Sequence, residues 1–374
     1  MKIVADPNIP FVQEAFGPLG KVQLAPGREI TAGLVRDADV LLVRSVTPVN
    51  AALLDGSRVK FVGTATIGVD HIDRGYLSQT GVGFASAQGS NANSVAEYMV
   101  AAMLEMAHRQ KFRLRDKVLG VIGVGNVGSR VVRYAKALGM QVLQNDPPRQ
   151  RTEKLTHFVP LDKVLAGADI ITLHVPLTKL GADATFHLYG KDRLAVLQRR
   201  KPILINTSRG AVVDNLALLK AIDGEWLGGA VLDVWEGEPK ILPELLDVMD
   251  IGTPHVSGYS LDGKANGTRM IHRAACEFFG TTPGWEPSLS APPIPRVELT
   301  VSSGEDEEEV LRRVVRRVYD ITDDDAALRR DIRAFDKLRA EYPVRREFFN
   351  TELVLRGASK ELQAKFAALG FKMG

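Results

Sequence analysis

Short apolar runs alternate with amphipathic stretches along residues 1 to 95. The runs have the length of buried strands, and the stretches at 11–19 and 31–37 have the spacing of helices. Strands that alternate with helices predict a parallel sheet covered on both faces. We therefore expect an α/β region with strands at 3–5, 22–24, 40–43, 61–62 and 82–84.

A second α/β pattern begins near residue 117. It follows a long helix that we expect to begin at a cap in Asn93 or Ser94 and to end near residue 109. The elements predicted next are a strand at 118–122, a helix at 126–138 and a strand at 141–145.

The turn after residue 122 has the glycine spacing of a dinucleotide-binding motif. Glycines at these positions permit a tight turn, close approach of the backbone to a pyrophosphate and close helix–strand packing. Asp146 ends the next strand, where a carboxylate can bind a ribose 2′-hydroxyl and would repel a 2′-phosphate, so we predict NAD rather than NADP. The turn residues expected to hold the cofactor are Gly123, Gly125, Asn126, Val127 and Gly128.

Three downstream segments supply a guanidinium, a carboxylate and an imidazole. Arg209 follows an apolar strand at 203–206, Glu238 lies in a turn after 230–232, and His255 lies between Pro254 and Gly258. An arginine can hold a carboxylate through two parallel hydrogen bonds, and a histidine can take the proton of a hydroxyl. A carboxylate beside that histidine would orient the ring and stabilise its protonated form. Together these groups suit hydride transfer from a hydroxy acid. Each also has a structural alternative. Arg209 could be a surface arginine, Glu238 could belong to a solvated acidic loop with Glu236, and His255 could be a hydrogen-bonded loop histidine.

Two loops of the first region are candidate substrate sites because they follow strands of the predicted sheet. Ligands of such sheets bind outside the carboxyl ends of the strands. Ser45 lies in one loop, and Thr66 lies in the other, the glycine-flanked segment 63–68, for which a plain tight turn is the alternative. Tyr259, downstream of His255, completes this predicted substrate set.

The amino-acid composition of the chain changes near residue 280. Five prolines between 283 and 295 predict an extended linker. Beyond it we expect a small α+β region, too small to be comfortably stable alone and therefore suited to self-association. Its predicted elements are a strand at 296–301, a helix at 305–319 with exposed pairs Glu308–Arg312 and Glu309–Arg313, a strand at 351–355 and a helix at 359–369 capped by Ser359.

Composition excludes several other classes of protein. The net charge of +3 gives no strong attraction to nucleic acid or to a membrane surface. Cys276 is the only cysteine, which excludes an intramolecular disulfide and a cysteine-rich metal site, and we expect no metal. The absence of a signal-peptide pattern and of a long apolar run predicts a cytoplasmic protein.

These motifs resemble those of the D-2-hydroxy-acid dehydrogenase family over about residues 1 to 280. The resemblance implies a flavodoxin-like substrate domain (1–95 with 257–280), a Rossmann NAD domain (96–256), a linker (281–295) and a C-terminal dimerisation domain (296–374). It also implies that Arg209, Glu238 and His255 are catalytic. Further NAD contacts are expected at Val175, through backbone atoms only, and at Thr207, Asp233 and Gly258. A structural cap is the alternative role for Asp233.

Within the family, the likeness is closest to members that oxidise a four-carbon phosphorylated hydroxy acid with NAD in pyridoxine biosynthesis. It rests on segments 43–47, 61–66, 232–239, 250–255, 335–339 and 345–347. The resemblance implies a homodimer held by the C-terminal domain. A shorter phosphorylated acid such as 3-phosphoglycerate, and an NAD-sensing interaction protein, are the alternatives. We also hypothesise that an exposed Arg345–Arg346 pair adds positive charge to the phosphate pocket of a partner subunit, with an interface salt bridge as the alternative.

Overall fold

The computed structural model describes residues 1–374, which divide into two compact units. The first comprises 1–91 and 260–290, and the second comprises 92–259 and 291–374. Val256 and Ser257 donate their amides to Asp233, which anchors this segment to the second unit. The predicted division of the chain into a substrate domain, an NAD domain, a linker and a C-terminal domain stays a prediction.

Fourteen strands form three sheets in which all neighbouring strands are parallel. The strands of the first unit are β1 Lys2–Ala5, β2 Lys21–Leu24, β3 Val40–Val43, β4 Phe61–Thr64 and β5 Gly83–Ser86. The large sheet of the second unit contains β6 Val118–Ile122, β7 Gln141–Asn145, β8 Ile170–Leu173, β9 Ile203–Asn206, β10 Gly229–Leu232 and β11 Ile251–Gly252. Its small sheet contains β12 Arg296–Thr300, β13 Glu352–Arg356 and β14 Lys372–Met373.

Sixteen α-helices connect and cover these sheets. The first unit contains α1 Val12–Phe16, α2 Ala32–Val35, α3 Ala51–Leu54, α4 Arg74–Thr80 and α12 Leu261–Phe278. The second contains α5 Ala92–Gln110, α6 Asn126–Ala137, α7 Pro147–Glu153, α8 Leu161–Gly167, α9 Lys191–Leu197, α10 Asn215–Asp223, α11 Pro243–Val248, α13 Glu307–Val318, α14 Ile321–Arg330, α15 Phe335–Ala340 and α16 Lys360–Ala368.

The strand orders confirm the predicted doubly wound α/β architecture. The first sheet has the order β2-β1-β3-β4-β5, which is flavodoxin-like, and the large second sheet has the order β11-β10-β9-β8-β6-β7. In the second sheet the direction of winding reverses between β6 and β8. A crevice therefore opens at the carboxyl ends of these two strands, where such sheets bind their ligands.

The C-terminal region packs onto the earlier part of the second unit. Val310 and Val314 of α13 share one apolar core with Met103 of α5, and Phe366 of α16 belongs to the same cluster. The ion pairs of α13 also differ from the predicted exposed ones. Arg312 pairs with Glu309 and with Glu105 of α5, because this side of α13 faces α5 rather than solvent.

Three further details of the sequence prediction were wrong. β2 is largely exposed because it is an edge strand. Asn93 lies inside α5, where its amide donates to Glu97 and Glu347 instead of capping the helix. Arg345 and Arg346 are only 5% and 8% exposed, and Arg345 donates to the carbonyls of Ser94 and Ser257 in its own chain. The hypothesis of an exposed arginine pair is therefore wrong.

The first part of the proline-rich segment packs on the first unit. Trp285 lies 6.2 Å from Phe11 between ring centroids, and Glu286 pairs with Arg269 and Arg273 of α12. Cys276 is buried in α12, as expected of a small apolar side chain. Across the whole chain, no helix combines the length and the apolar character required to span a membrane.

Candidate active site

The three predicted catalytic segments follow neighbouring strands. Arg209 comes after β9, Glu238 after β10 and His255 after β11, and these strands pair in parallel in that order. Parallel pairing places their carboxyl ends at one edge of the sheet. The topology therefore brings together side chains that lie up to 46 residues apart in the sequence.

Close backbone contacts lock the three segments to one another. A Cβ atom on Gly210 would lie 1.9 Å from the Trp235 carbonyl oxygen, so only glycine fits at this position. The Trp235 indole nitrogen donates to the Thr253 carbonyl at 3.0 Å. The segment that carries Arg209 and the segment that carries His255 are thus both fixed against the segment that carries Glu238.

Glu238 and His255 form a hydrogen-bonded pair. Glu238 Oε2 lies 2.7 Å from His255 Nδ1, while Glu238 Oε1 accepts the Trp235 amide at 2.8 Å. Burial alone would raise the pKa of Glu238, but the His255 ring, the Trp235 amide and the Arg339 guanidinium together hold that pKa below its ordinary value. With Glu238 ionised, Nδ1 of neutral His255 must carry the ring proton, which leaves Nε2 as the atom able to accept another.

The loop of His255 is held in an unusual conformation by Asp233. His255 has φ of 57°, in the left-handed region that non-glycine residues seldom occupy. Asp233 Oδ1 accepts the Val256 amide and the Thr253 hydroxyl, both at 2.7 Å, and Oδ2 accepts the Ser257 amide at 3.1 Å. Asp233 therefore acts as a cap for this loop, and its contact with a nicotinamide carboxamide stays a prediction.

Arg209 shares a cavity with the Glu238–His255 pair. The cavity has a volume of about 250 Å³ and is also lined by Leu177 and Gly237. The Arg209 guanidinium donates from Nη1 to the Ser208 carbonyl at 2.7 Å, and the Asn206 side chain donates to the Arg209 carbonyl at 2.9 Å. A cation, a histidine and its carboxylate therefore face one small space, an arrangement able to hold an anion and exchange a proton with it.

The glycine turn fits a dinucleotide pyrophosphate. Gly123 has φ of 83°, and a Cβ atom on Gly128 would lie 2.0 Å from the Gly123 carbonyl oxygen, so the turn closes tightly on α6. A Cβ atom on Gly125 would meet nothing within 4 Å, and no side chain caps the first turn of α6. The amides of Asn126 and Val127 at this helix start therefore have the room and the positive end of the helix dipole that phosphate binding requires.

Asp146 lies beside this turn. Its Oδ2 accepts the Val124 amide at 2.8 Å, and its Oδ1 accepts the Arg149 amide at 3.1 Å as the cap of α7. Each carboxylate oxygen has a second lone pair with which it could accept a ribose hydroxyl. The predicted ribose contact stays a prediction, but the carboxylate is in place beside the pyrophosphate turn.

The ends of β8 and β9 meet through His174 and Thr207. The Thr207 hydroxyl lies 3.2 Å from His174 Nδ1, and the Thr172 hydroxyl lies 3.0 Å from Nε2. Burial lowers the pKa of His174 to about 3, so this ring is neutral and bridges the two strands. Val175 follows it, and its Cγ1 would lie 2.8 Å from a Cβ atom on Gly123, which places residue 175 against the glycine turn.

The predicted substrate residues lie in both units. Ser45 and Thr66 follow β3 and β4, which are neighbours in the first sheet, and Ser45 is exposed. The Thr66 hydroxyl lies 2.7 Å from that of Thr64 and donates to the Gly68 carbonyl at 2.9 Å. In the second unit, Tyr259 follows the buried Gly258 and packs edge-on against Tyr342 at 5.8 Å between ring centroids.

Two side chains near the catalytic segments were given no functional role from the sequence, which predicts a surface or packing role for His187. His187 Nε2 lies 2.7 Å from Glu236 Oε1, so Glu236 has a partner other than His255. Ligand atoms of His187, Asp214 and Glu236 lie within 4.8 Å of one another, but Asp214 caps α10 and Glu236 also accepts the Asn215 amide. These bonds anchor the loop before Glu238. The second unassigned residue, Arg339, lies over the Tyr259 ring at 5.6 Å, and no local pattern in the sequence signals that contact.

Comparison with known proteins gives consistent results. The family described as "D-isomer specific 2-hydroxyacid dehydrogenase, NAD binding domain" matches residues 83–257, and a domain of unknown function matches residues 289–370. An erythronate-4-phosphate dehydrogenase of Azotobacter vinelandii is 46% identical over 99% of both chains, and one of Salinibacter ruber is 47% identical over 93% of this chain and 92% of its own. The crystal structure of Aquifex aeolicus D-lactate dehydrogenase with NAD and lactic acid covers 75% of this chain and 96% of its own, with a TM-score of 0.60 and 26% identity.

Proposed function

The chain belongs to the erythronate-4-phosphate dehydrogenases of the D-2-hydroxy-acid dehydrogenase family, and we propose that it oxidises 4-phospho-D-erythronate at C2. It is an NAD-dependent oxidoreductase. The product of the proposed reaction is (R)-3-hydroxy-2-oxo-4-phosphobutanoate, and the reaction would serve pyridoxine biosynthesis. The observation that carries the chemistry is the Glu238–His255 pair at 2.7 Å in one cavity with Arg209.

Each catalytic side chain has a role that follows from its surroundings. Arg209 binds the carboxylate of the substrate and thereby fixes the position of C2. His255 Nε2 takes the proton of the C2 hydroxyl, because Nδ1 is occupied by Glu238. Ionised Glu238 then stabilises the imidazolium that forms.

Bound NAD supplies the acceptor for the hydride that leaves C2. Loss of that hydride and of the hydroxyl proton converts the alcohol carbon to a carbonyl, so the products are the 2-oxo acid, NADH and one proton. In this proposal the glycine turn holds the pyrophosphate and Asp146 the adenosine ribose. The remaining cofactor contacts are assigned to Val175, Thr207, Asp233 and Gly258, and contacts with the substrate to Ser45, Thr66 and Tyr259.

A substrate comparison tests this function directly. We would follow NADH absorbance with 4-phospho-D-erythronate and with D-3-phosphoglycerate, using His255→Ala as the control for adventitious activity. The proposal expects the higher kcat/KM with the four-carbon substrate and almost none in the control. A preference for 3-phosphoglycerate would replace the proposed substrate, and NAD binding without turnover of either acid would favour a sensing role.

We also propose that the reaction takes place in the cytoplasm, where NAD and phosphorylated acids are available. We further propose that residues 296–374 form a homodimer interface. Val344 and Phe349 support the interface, because they are 53% and 43% exposed although they are large and apolar. Sedimentation velocity on the full chain should give a dimer, and Val344→Asp with Phe349→Asp should give a folded monomer. A monomeric native protein would exclude the interface.

A further inference from the structure

Arg339 is a cation beside the active site whose one role so far is to help hold the pKa of Glu238 below its ordinary value. Its guanidinium carbon lies 5.6 Å from the ring centroid of Tyr259 and 5.9 Å from that of Phe335, whose side chain is fully buried. Stacking on two rings holds the planar group in place, as cation–π contacts do. Arg339 therefore projects from α15 against Tyr259, only four residues after His255.

The hydrogen-bonding capacity of Arg339 is not used up within the protein. Its Nε atom is buried without a hydrogen-bond partner, and its Nη1 lies 3.8 Å from Asp336 Oδ1, beyond hydrogen-bond distance. The neighbouring carboxylate of Glu238 is already engaged by the Trp235 amide and His255. A guanidinium in this state is suited to bind an anion through its planar set of donors.

The substrate of the proposed reaction is an anion at both ends. Arg209 serves the carboxylate, so a second cation is required for the phosphate at the other end of the four-carbon chain. We propose that Arg339 binds this phosphate from within the same subunit, with Tyr259 packed beneath its guanidinium. This inference rests on the proposed function, and it makes α15 of the C-terminal region part of the substrate site.

The test compares Arg339→Gln with Lys337→Gln, which removes one positive charge from an exposed position of the same helix. In Arg339→Gln we expect the KM for 4-phospho-D-erythronate to rise about tenfold or more, the usual effect of losing a charge-assisted hydrogen bond. The inhibition constant of glycolate, which has a carboxylate and a hydroxyl but no phosphate, should stay unchanged. Arg339→Lys should show a smaller rise in KM, because it keeps the charge but loses the planar fork.

A binding measurement separates failure of this inference from failure of the proposed function. Inorganic phosphate should raise the Tm of the NAD-bound native protein and of Lys337→Gln, and it should raise that of Arg339→Gln much less. An inactive native protein that shows this pattern would refute the proposed reaction and leave the anion site standing. An active native protein whose Arg339→Gln variant keeps its KM and its response to phosphate would overturn the inference. An equal loss of glycolate and phosphate binding would also overturn it, since Arg339 would then only support the fold of the site.

Discussion

The indole nitrogen of Trp235 donates a hydrogen bond to the backbone carbonyl of Thr253 at 3.0 Å. This bond joins the segment that ends in Glu238 to the segment that continues into His255. A catalytic pair works only when its atoms are placed to within a fraction of an ångström. The Trp235–Thr253 bond therefore helps to position Glu238 and His255, although neither side chain takes part in it. Trp235 is almost fully buried, so its ring also fills the core beneath the site.

Trp235→Phe should separate the hydrogen bond from the packing. The variant keeps an apolar aromatic ring but removes one of the two donors to the Thr253 carbonyl, which keeps the His255 amide at 3.0 Å. The cost should be about 1 kcal/mol, the net contribution of one hydrogen bond. We expect kcat to fall about tenfold with little change in the KM for NAD. Urea unfolding and steady-state kinetics would measure both effects, and an unchanged kcat in a destabilised variant would show that the bond serves stability alone.

Glu238→Gln should move the acidic limb of the oxidative kcat/KM profile to lower pH. His255 must be neutral to accept the hydroxyl proton, and ionised Glu238 favours the protonated ring. The pKa of Glu238 is held below its ordinary value, so its carboxylate is charged at neutral pH, and Glu238→Gln removes this negative charge from beside the ring. His255→Ala should abolish the acidic limb of the profile and lower the rate about 10²–10⁴-fold. A limb that stays in place in folded, NAD-binding Glu238→Gln would exclude this coupling.

Asp146→Ser should relax the preference for NAD only when Arg149 is also released. Arg149 is held by Glu153 through Nε and Nη2 at 2.6 and 2.7 Å, so its charge is already neutralised. Serine can still cap α7, while Glu153→Ala frees Nε and Nη2 of Arg149 for a 2′-phosphate and leaves Nη1 bonded to the Val124 carbonyl. We expect the double variant to gain about tenfold or more in NADP over NAD efficiency, equivalent to about 1.4 kcal/mol. Glu153→Ala alone is the control and should keep the NAD preference, and equal use of both cofactors by the native protein would contradict the role of Asp146.

Asp324→Asn should flatten the dependence of stability on pH. Burial raises the pKa of Asp324 to about 6, although Tyr342 and Tyr319 both donate hydrogen bonds to its Oδ2. A raised pKa means that this group stabilises the fold fully below its unfolded pKa of 3.8 and that the contribution is lost as pH rises through about 6. At about 1.4 kcal/mol for each pKa unit, the loss is about 3 kcal/mol.

The measurement for Asp324 is the difference in unfolding free energy between variant and native protein from pH 3.5 to 8. This difference should shift in favour of the asparagine variant by about 3 kcal/mol over that range. Asp323→Asn on the exposed side of the same helix is the control and should give a nearly constant difference. A constant difference for Asp324→Asn as well would mean that Asp324 is not strained by its burial.

The sequence by itself determined the features that depend on near neighbours along the chain. Strands and helices follow from the period of apolar residues, and the tight turn at Gly123 follows from glycine spacing. Because β9, β10 and β11 are parallel, the residues that follow them had to reach one edge of the sheet, so Arg209, Glu238 and His255 could be expected together.

Only the tertiary structure decided which of these side chains pair and what else surrounds them. Glu236 and Glu238 lie two residues apart, yet one bonds to His187 and the other to His255. Arg345 carries a charge that predicts exposure, but it is buried over the Tyr319 ring at 3.7 Å and bonded to carbonyls about 90 and 250 residues away in the chain. Such contacts have no period in the sequence, because they depend on how helices of the C-terminal region dock onto α5 and the 255–259 loop. Local patterns therefore fixed the type and approximate position of the predicted elements, whereas the free energy of packing distant segments chose the partners of their side chains.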